Sequence, residues 1–432
     1  MEQKEIYDPL LQVWGVPDEH NVMYSADGKR LVGCRNCLLE EYTVRDGCET
    51  IAHTAFRGCF GLRSIHLPSG LRHIESSAFE GCARLQAIEI PDSVTNIGHH
   101  AFAQCIQLGQ VTLPQSLQRL EYGCFSWSGV RSVESRSQNF ECWNGLVTDV
   151  AAARLVACVS SAKSCAVPEG IREIEHMAFT NLTELHSVQI PSTVERITGN
   201  PFLDCGVRSC VSHSEKYITQ GDFLIEKPSG KLMAWFGNDP CAEVPHGIRT
   251  IGNSAFFRKP TLKRVSLPDS VTVIDNSAFG ECWRLEEFIP SPNLTVIGRV
   301  AFALCRHLRP FSLPDEVTAI KDYAFNGCKA WNDGQALMSK GLKTLGAWAL
   351  SGCDKISHLD MPAGLESIGD YAFAFCAGLK SANIPASVTH IGSDAFLLCT
   401  ELRQITLPAW AKDHSRILRD CGNIKEIKYN LN

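Results

Sequence analysis

Cysteine and histidine are the residues of this chain best suited to chemistry, and their spacing decides which chemistry is open to them. The chain has 432 residues and twenty cysteines. Cys34-Arg35-Asn36-Cys37 has the C-x-x-C spacing of half a zinc site or of a redox pair. Zinc needs two further ligands at suitable spacing, and redox use needs a βαβ setting. Neither follows in the sequence, so two thiols in a hairpin are expected. Eleven other cysteines, Cys59, Cys82, Cys105, Cys205, Cys282, Cys305, Cys328, Cys353, Cys376, Cys399 and Cys421, hold one position of a repeated phrase. Stacked coils would set them in a parallel ladder with Cβ atoms one strand spacing apart, about 4.8 Å. A disulfide wants about 3.5–4.5 Å, and a line of thiols cannot surround a tetrahedral ion. Buried packing is the expected role. Free thiols at this density suit a reducing compartment.

His99 and His100 adjoin, and His53 holds the His99 position two repeats earlier. They are expected to face solvent, two spacings apart, which is too far for one metal ion. His358 and Asp360 would share the outward face of one strand, with Asn383 on the next. That trio lacks a nucleophile of its own and an inferable pocket. Walker, dinucleotide-binding, H-E-x-x-H and G-x-S-x-G motifs do not occur. No catalytic residue, metal or cofactor is expected.

The elements that position these residues follow from the repeat. Fourteen copies of a 23-residue phrase run through the chain, most clearly in LQAIEIPDSVTNIGHHAFAQCIQ from Leu85. A fixed period of this length indicates a solenoid of stacked coils. The L-x-x-I-x-L part alternates as a half-buried strand does, with Leu85, Ile88 and Ile90 inward and Ala87 and Glu89 outward. A proline such as Pro91, Pro268 or Pro385 then ends the strand. The Ile97-Gly98 pair supplies another inward residue and a corner. The A-F pair, as in Ala101-Phe102 and Ala301-Phe302, places a small residue for close approach and a ring to fill the coil, in a short helical turn.

The L-P…I-G…A-F…C pattern resembles the BspA-like leucine-rich repeat family over about residues 50 to 429. The resemblance implies a curved, right-handed, β-rich leucine-rich repeat solenoid. It places a strand on the concave side, with a short strand and helical turns elsewhere. It also implies a protein-binding or surface-adhesion role.

Three longer units interrupt the repeats. They span residues 21–56, 144–179 and 221–256, each 36 residues long and ending in A-F. Each reads as a β-hairpin opening a new block, with Asp27-Gly28 and Ser229-Gly230 as turns. The expected layout is a cap or arm over 1–20, then hairpin-led blocks over 21–140, 141–213 and 214–432 in one continuous solenoid.

Hydrophobic content of 44%, charged content of 20% and a net charge of -6 are those of an ordinary soluble chain. The charges are interspersed and no basic block stands out, so nucleic acid is not an expected partner. No 18-residue apolar run exists and the first residues lack a secretory pattern, so membrane insertion is not expected and a cytoplasmic monomer is. An export signal outside this sequence would move the chain to the cell surface. The surface left for function is the outward side of the concave strands: His66, Glu89, Thr112, Gln189, Ser266, Ser312, Asp360, Asn383, Thr406 and Lys428. The expected function is non-enzymatic binding of a protein partner there. The alternatives are a surface adhesin for host or matrix proteins and a structural spacer. Trp127, Trp331 and Trp348 mark irregular coils that could bind a partner instead, or plug gaps in the core.

Overall fold

The computed structural model describes residues 6–8, 11–413 and 415–430. The chain divides into two compact units, Met1–Glu215 and Lys216–Asn432. Each is a β-solenoid segment, and among the described residues helix is confined to 3-10 turns at Gln335–Leu337, Ala409–Asp413 and Ser415–Leu418.

The L-x-x-I-x-L segments form a first parallel ladder, in short sheets. In the first unit these are Glu41–Thr43 with Ser64–His66, Gln110–Leu113 with Ser132–Ser135, and Ser164–Ala166, Ser187–Ile190 and Ser209–Ser212. In the second unit they are Cys241–Glu243, Arg264–Ser266 and Glu287–Ile289, then His358–Asp360, Ser381–Asn383, Gln404–Pro408 and Glu426–Asn430. The coil at Arg309-Pro310-Phe311 falls between these sheets, where Pro310 has no N–H to offer a neighbour. Around Ile88 the burial alternates as expected, yet the segment joins no ladder.

The more continuous sheet is a second ladder of two-residue strands, each ending in the Ile or Leu of the I-G position. Thr50–Ile51, His73–Ile74, Asn96–Ile97 and Arg119–Leu120 follow one another in the first unit. Seven such strands, from Thr250–Ile251 to His390–Ile391, follow one another in the second. The glycine after that Ile is needed for close approach more than for flexibility. A Cβ on Gly98 would lie 2.5 Å from the backbone nitrogen of Ser76 on the preceding coil.

The second ladder starts each time on an antiparallel hairpin: Val22–Tyr24 with Arg30–Cys34, Leu146–Asp149 with Arg154–Cys158, and Phe223–Glu226 with Lys231–Trp235. All three carry a register shift at the same relative place. A further antiparallel strand precedes each one, at Val13–Pro17, Phe140–Trp143 and Tyr217–Gln220. Residues 6–8 add one more, Ile6–Asp8, against Val13–Gly15.

The A-F segments are turns that bond in two directions. Ala55, Arg57 and Cys59 donate their N–H three residues back within the coil, while Thr54, Phe56 and Gly58 donate to Ser76, Ala78 and Glu80 of the next coil. The alternation needs left-handed residues, and Thr54, Ser77, His100, Ser277, Val300 and Trp348 all have φ between 53° and 59°. The rings stack from coil to coil, with Phe56, Phe79 and Phe102 at 5.4 and 5.6 Å and Phe279, Phe302 and Phe325 at 5.2 and 5.1 Å. All six are fully buried.

Candidate functional site

The first ladder brings four of the sequence-selected residues into one row. Asp360, Asn383, Thr406 and Lys428 are successive register partners on four adjacent parallel strands. Two residues back, His358, Ser381, Gln404 and Glu426 form a second row. Side chains two apart on a strand share a face, so both rows point outward. Between the rows sit the inward residues Leu359, Ala382 and Ile405, all buried. Both rows apart from His358, with Tyr429 and Asn430, line a groove of about 570 Å³. Ser381, Gln404 and Glu426 were missed in the sequence, although Ser381 and Gln404 follow from His358 by steps of 23 residues.

His66, Glu89 and Thr112 share another groove, of about 590 Å³, in the first unit. Asp92 and Arg136 close its side as an ion pair at 3.6 Å. Gln189 lies between Ala166 and Val211 on a three-stranded sheet, and Ser266 between Glu243 and Ile289 on another. Ser312 is exposed but stands on no strand.

The His358 trio gains a hydroxyl and little else. His358 Nδ1 is 2.8 Å from Ser381 Oγ. Among the described residues no hydrogen bond joins Asp360 to His358, and the Asp360 N–H donates to Gln335 Oε1 instead. The contact sets a serine hydroxyl beside an imidazole on an open face.

The histidines expected to face solvent do so only in part. His99 Nε2 lies 2.5 Å from Glu121 Oε2, and its ring packs on Tyr122 at 4.2 Å. His100 lies beneath Gly123, and burial pushes its imidazole below the ordinary range. His176 meets the same Tyr122 ring at 5.6 Å, and burial lowers its pKa to about 4. Among the described residues no group of three or more His, Cys, Asp or Glu side chains is placed to hold a metal ion.

The twenty cysteines are free thiols. Of the eleven ladder thiols all but Cys205 are buried, and most donate a hydrogen bond to a backbone carbonyl. Cys82, Cys105, Cys282, Cys305 and Cys328 donate to the carbonyl oxygen of the A-F phenylalanine one coil back, at 2.9–3.2 Å. Burial pushes the Cys105, Cys282 and Cys376 thiols up to about 12. Of the C-x-x-C pair, Cys34 ends a hairpin strand and Cys37 stands in the following turn. The Cys34 thiol shares a hydrogen bond with Cys59 that holds Cys34 down and Cys59 up.

Of the three tryptophans that mark irregular coils, Trp331 is core, and Trp127 and Trp348 are half-buried. Trp331 is fully buried between Phe311 and Phe325, and its indole N–H donates to the Asp333 carbonyl. Trp127 donates to Asp204 at 2.7 Å. Trp348 is stacked between Tyr323 and Tyr371 at 5.8 and 4.4 Å.

A family model described as the BspA type leucine-rich repeat region matches residues 33–142, 155–226, 241–332 and 335–432. The chain belongs to the BspA-type leucine-rich repeat family. The fold of this BspA-type chain resembles a leucine-rich repeat protein of Eubacterium ventriosum ATCC 27560, at 18% identity over 85% of this chain and 88% of that one, with a TM-score of 0.50. A leucine-rich cell surface protein of Faecalibacterium prausnitzii A2-165 is 22% identical over 96% of this chain and 94% of that one, with a TM-score of 0.38. No match was found among the curated proteins. Among the described residues of the BspA-type chain, no helix is long and apolar enough to cross a membrane.

Proposed function

We propose that the chain is a non-enzymatic interaction module that binds a protein partner on the outward face of the first ladder. The observation that supports this most directly is the pair of in-register rows from Asp360 to Lys428 and from His358 to Glu426. They set hydrogen-bonding side chains at the regular strand spacing of about 4.8 Å on a rigid scaffold. The mixed hydroxyl, amide and charged character suits the polar surface of a protein partner. Twenty free thiols fit a reducing compartment, so we seek the partner in the cytoplasm.

The test is cross-linking of the tagged protein in its own cells, with mass spectrometry of what is captured. It runs beside a variant with Glu89, Gln189, Asp360 and Asn383 all changed to Lys. A protein held by the parent and lost from the variant supports the reading. Equal capture by both moves the site off this face. No capture inside cells, with binding to matrix or host-surface proteins outside them, supports the adhesin alternative.

A further inference from the structure

The strand Glu426–Asn430 has a hydrogen-bonded neighbour on one side only, Gln404–Pro408, among the described residues. The core rows run out onto it. Leu359, Ala382 and Ile405 are 1%, 4% and 2% exposed, and their next register partner, Ile427, is 41% exposed. Ile384 and Leu407 are buried, and Tyr429 opposite Leu407 is 37% exposed. The Glu426 N–H donates inward, to the Arg403 carbonyl. Strand alternation then directs the N–H and C=O of Ile427 and Tyr429 to the open edge. An unpaired edge bearing exposed apolar side chains invites another strand.

We propose that this edge pairs antiparallel with the same edge of a second copy of the chain, about a twofold axis at Ile427. The charges favour a second copy as the occupant and Ile427 over Tyr429 as the centre. Centring on Tyr429 sets Lys428 opposite Asn430 and makes no ion pair. With Ile427 opposite its own copy, Glu426 faces Lys428 of the second copy, and Lys428 faces Glu426 of the second copy. Centring the pair on Glu426 or on Lys428 would set like charges face to face, which costs stability. Within one chain Lys428 Nζ is already 3.2 Å from Glu426 Oε1, so the pairing makes a square of four alternating charges. A residue whose N–H and C=O both face the edge can exchange two hydrogen bonds with its own copy, as an antiparallel pair requires. Ile427 lies on the core side and covers its counterpart. The contact is isologous and closes at two copies. Four strands become eight, and the groove from Asp360 to Lys428 runs on across the axis into the second copy. The area is that of a weak association rather than an obligate one.

The experiment is sedimentation analysis of the full chain over a concentration series to about 100 μM, a range suited to weak association. Four proteins are compared: the parent, Glu426→Lys, Lys428→Glu, and the double exchange. The parent shifts from 47.6 kDa toward twice that mass. Each single exchange weakens association at least tenfold, and the double exchange restores it. Thermal unfolding of all four confirms that they are folded, as expected for exposed positions. A parent that stays at 47.6 kDa throughout overturns the proposal. So does growth beyond two copies, association that ignores the single exchanges, or a double exchange that fails to rescue. The capture experiment above changes neither Glu426 nor Lys428, so failure here leaves the partner-binding reading to its own test.

Discussion

The thiol of Cys305 donates to the carbonyl oxygen of Phe279, one coil earlier, at 3.1 Å. That oxygen also accepts the Cys282 N–H at 3.2 Å. The thiol therefore adds a second, weaker bond to that oxygen and fills the space around it. We expect Cys305→Ala to lower unfolding free energy by about 1–2 kcal/mol, from lost packing and one lost weak bond. Cys305→Ser, which keeps a donor, should lose less. Urea unfolding of both variants checks the order.

Burial at these positions also sets reactivity. A thiol raised to about 12, as at Cys105, Cys282 and Cys376, carries almost no thiolate at neutral pH. In the native protein a soluble alkylating reagent should label the exposed Cys241 first and leave Cys105, Cys282 and Cys376 untouched until the chain unfolds. Peptide mapping of the labelled protein would show this. Rapid labelling of Cys282 in native conditions would contradict the buried ladder.

Phe302 stacks on Phe279 and Phe325 and is fully buried. Phe302→Ala is expected to cost about 3–5 kcal/mol and to be felt by the coils on both sides. A thermal melt that did not move would mean that the ring is not core.

The backbone suggests a change in the opposite direction. Val300 is β-branched and sits at φ 59°, where the equivalent positions in other coils hold Ser254, Ser277 and Asp394. Asparagine accepts the left-handed region far more readily than valine. Val300→Asn is therefore expected to stabilise by up to about 1 kcal/mol, read as a rise in the urea midpoint at constant slope.

His176 supplies a pH dependence. Its folded pKa, about 4, lies below the ordinary 6.5 because burial disfavours the charged ring, and His100 is lowered for the same reason. As the pH falls, the unfolded chain takes up the proton first. The stability contributed above pH 6.5 is lost progressively and is gone near pH 4, about 3 kcal/mol in all for His176. His176→Gln should flatten the fall in stability between pH 7 and 4 relative to the parent.

The parts of this structure written as repeated positions were legible from the sequence. Ala78, Phe79 and Cys82 are fully buried, and Gly28 turns its hairpin at φ 71°. The second ladder was less visible, because two-residue strands such as His73–Ile74 offer no alternation to read. The rows of the groove were half-read. Outward positions were chosen one per coil, whereas the strand also exposes the residue two places earlier. The packing of His100 and His176 on Tyr122 left no sequence signal, since His176 belongs to a later block and meets the ring only in three dimensions.

The three antiparallel hairpins bear on how the chain reaches this structure. Each closes over a turn of a few residues and presents a finished strand to the coil that follows, while every later step adds a coil to an existing template. Loop closure is inexpensive for such short hairpins, and contacts between adjacent coils stay close in sequence. The 432-residue chain can therefore begin folding at three places at once and zip outward from each, so that its search scales with the coil rather than with the whole length.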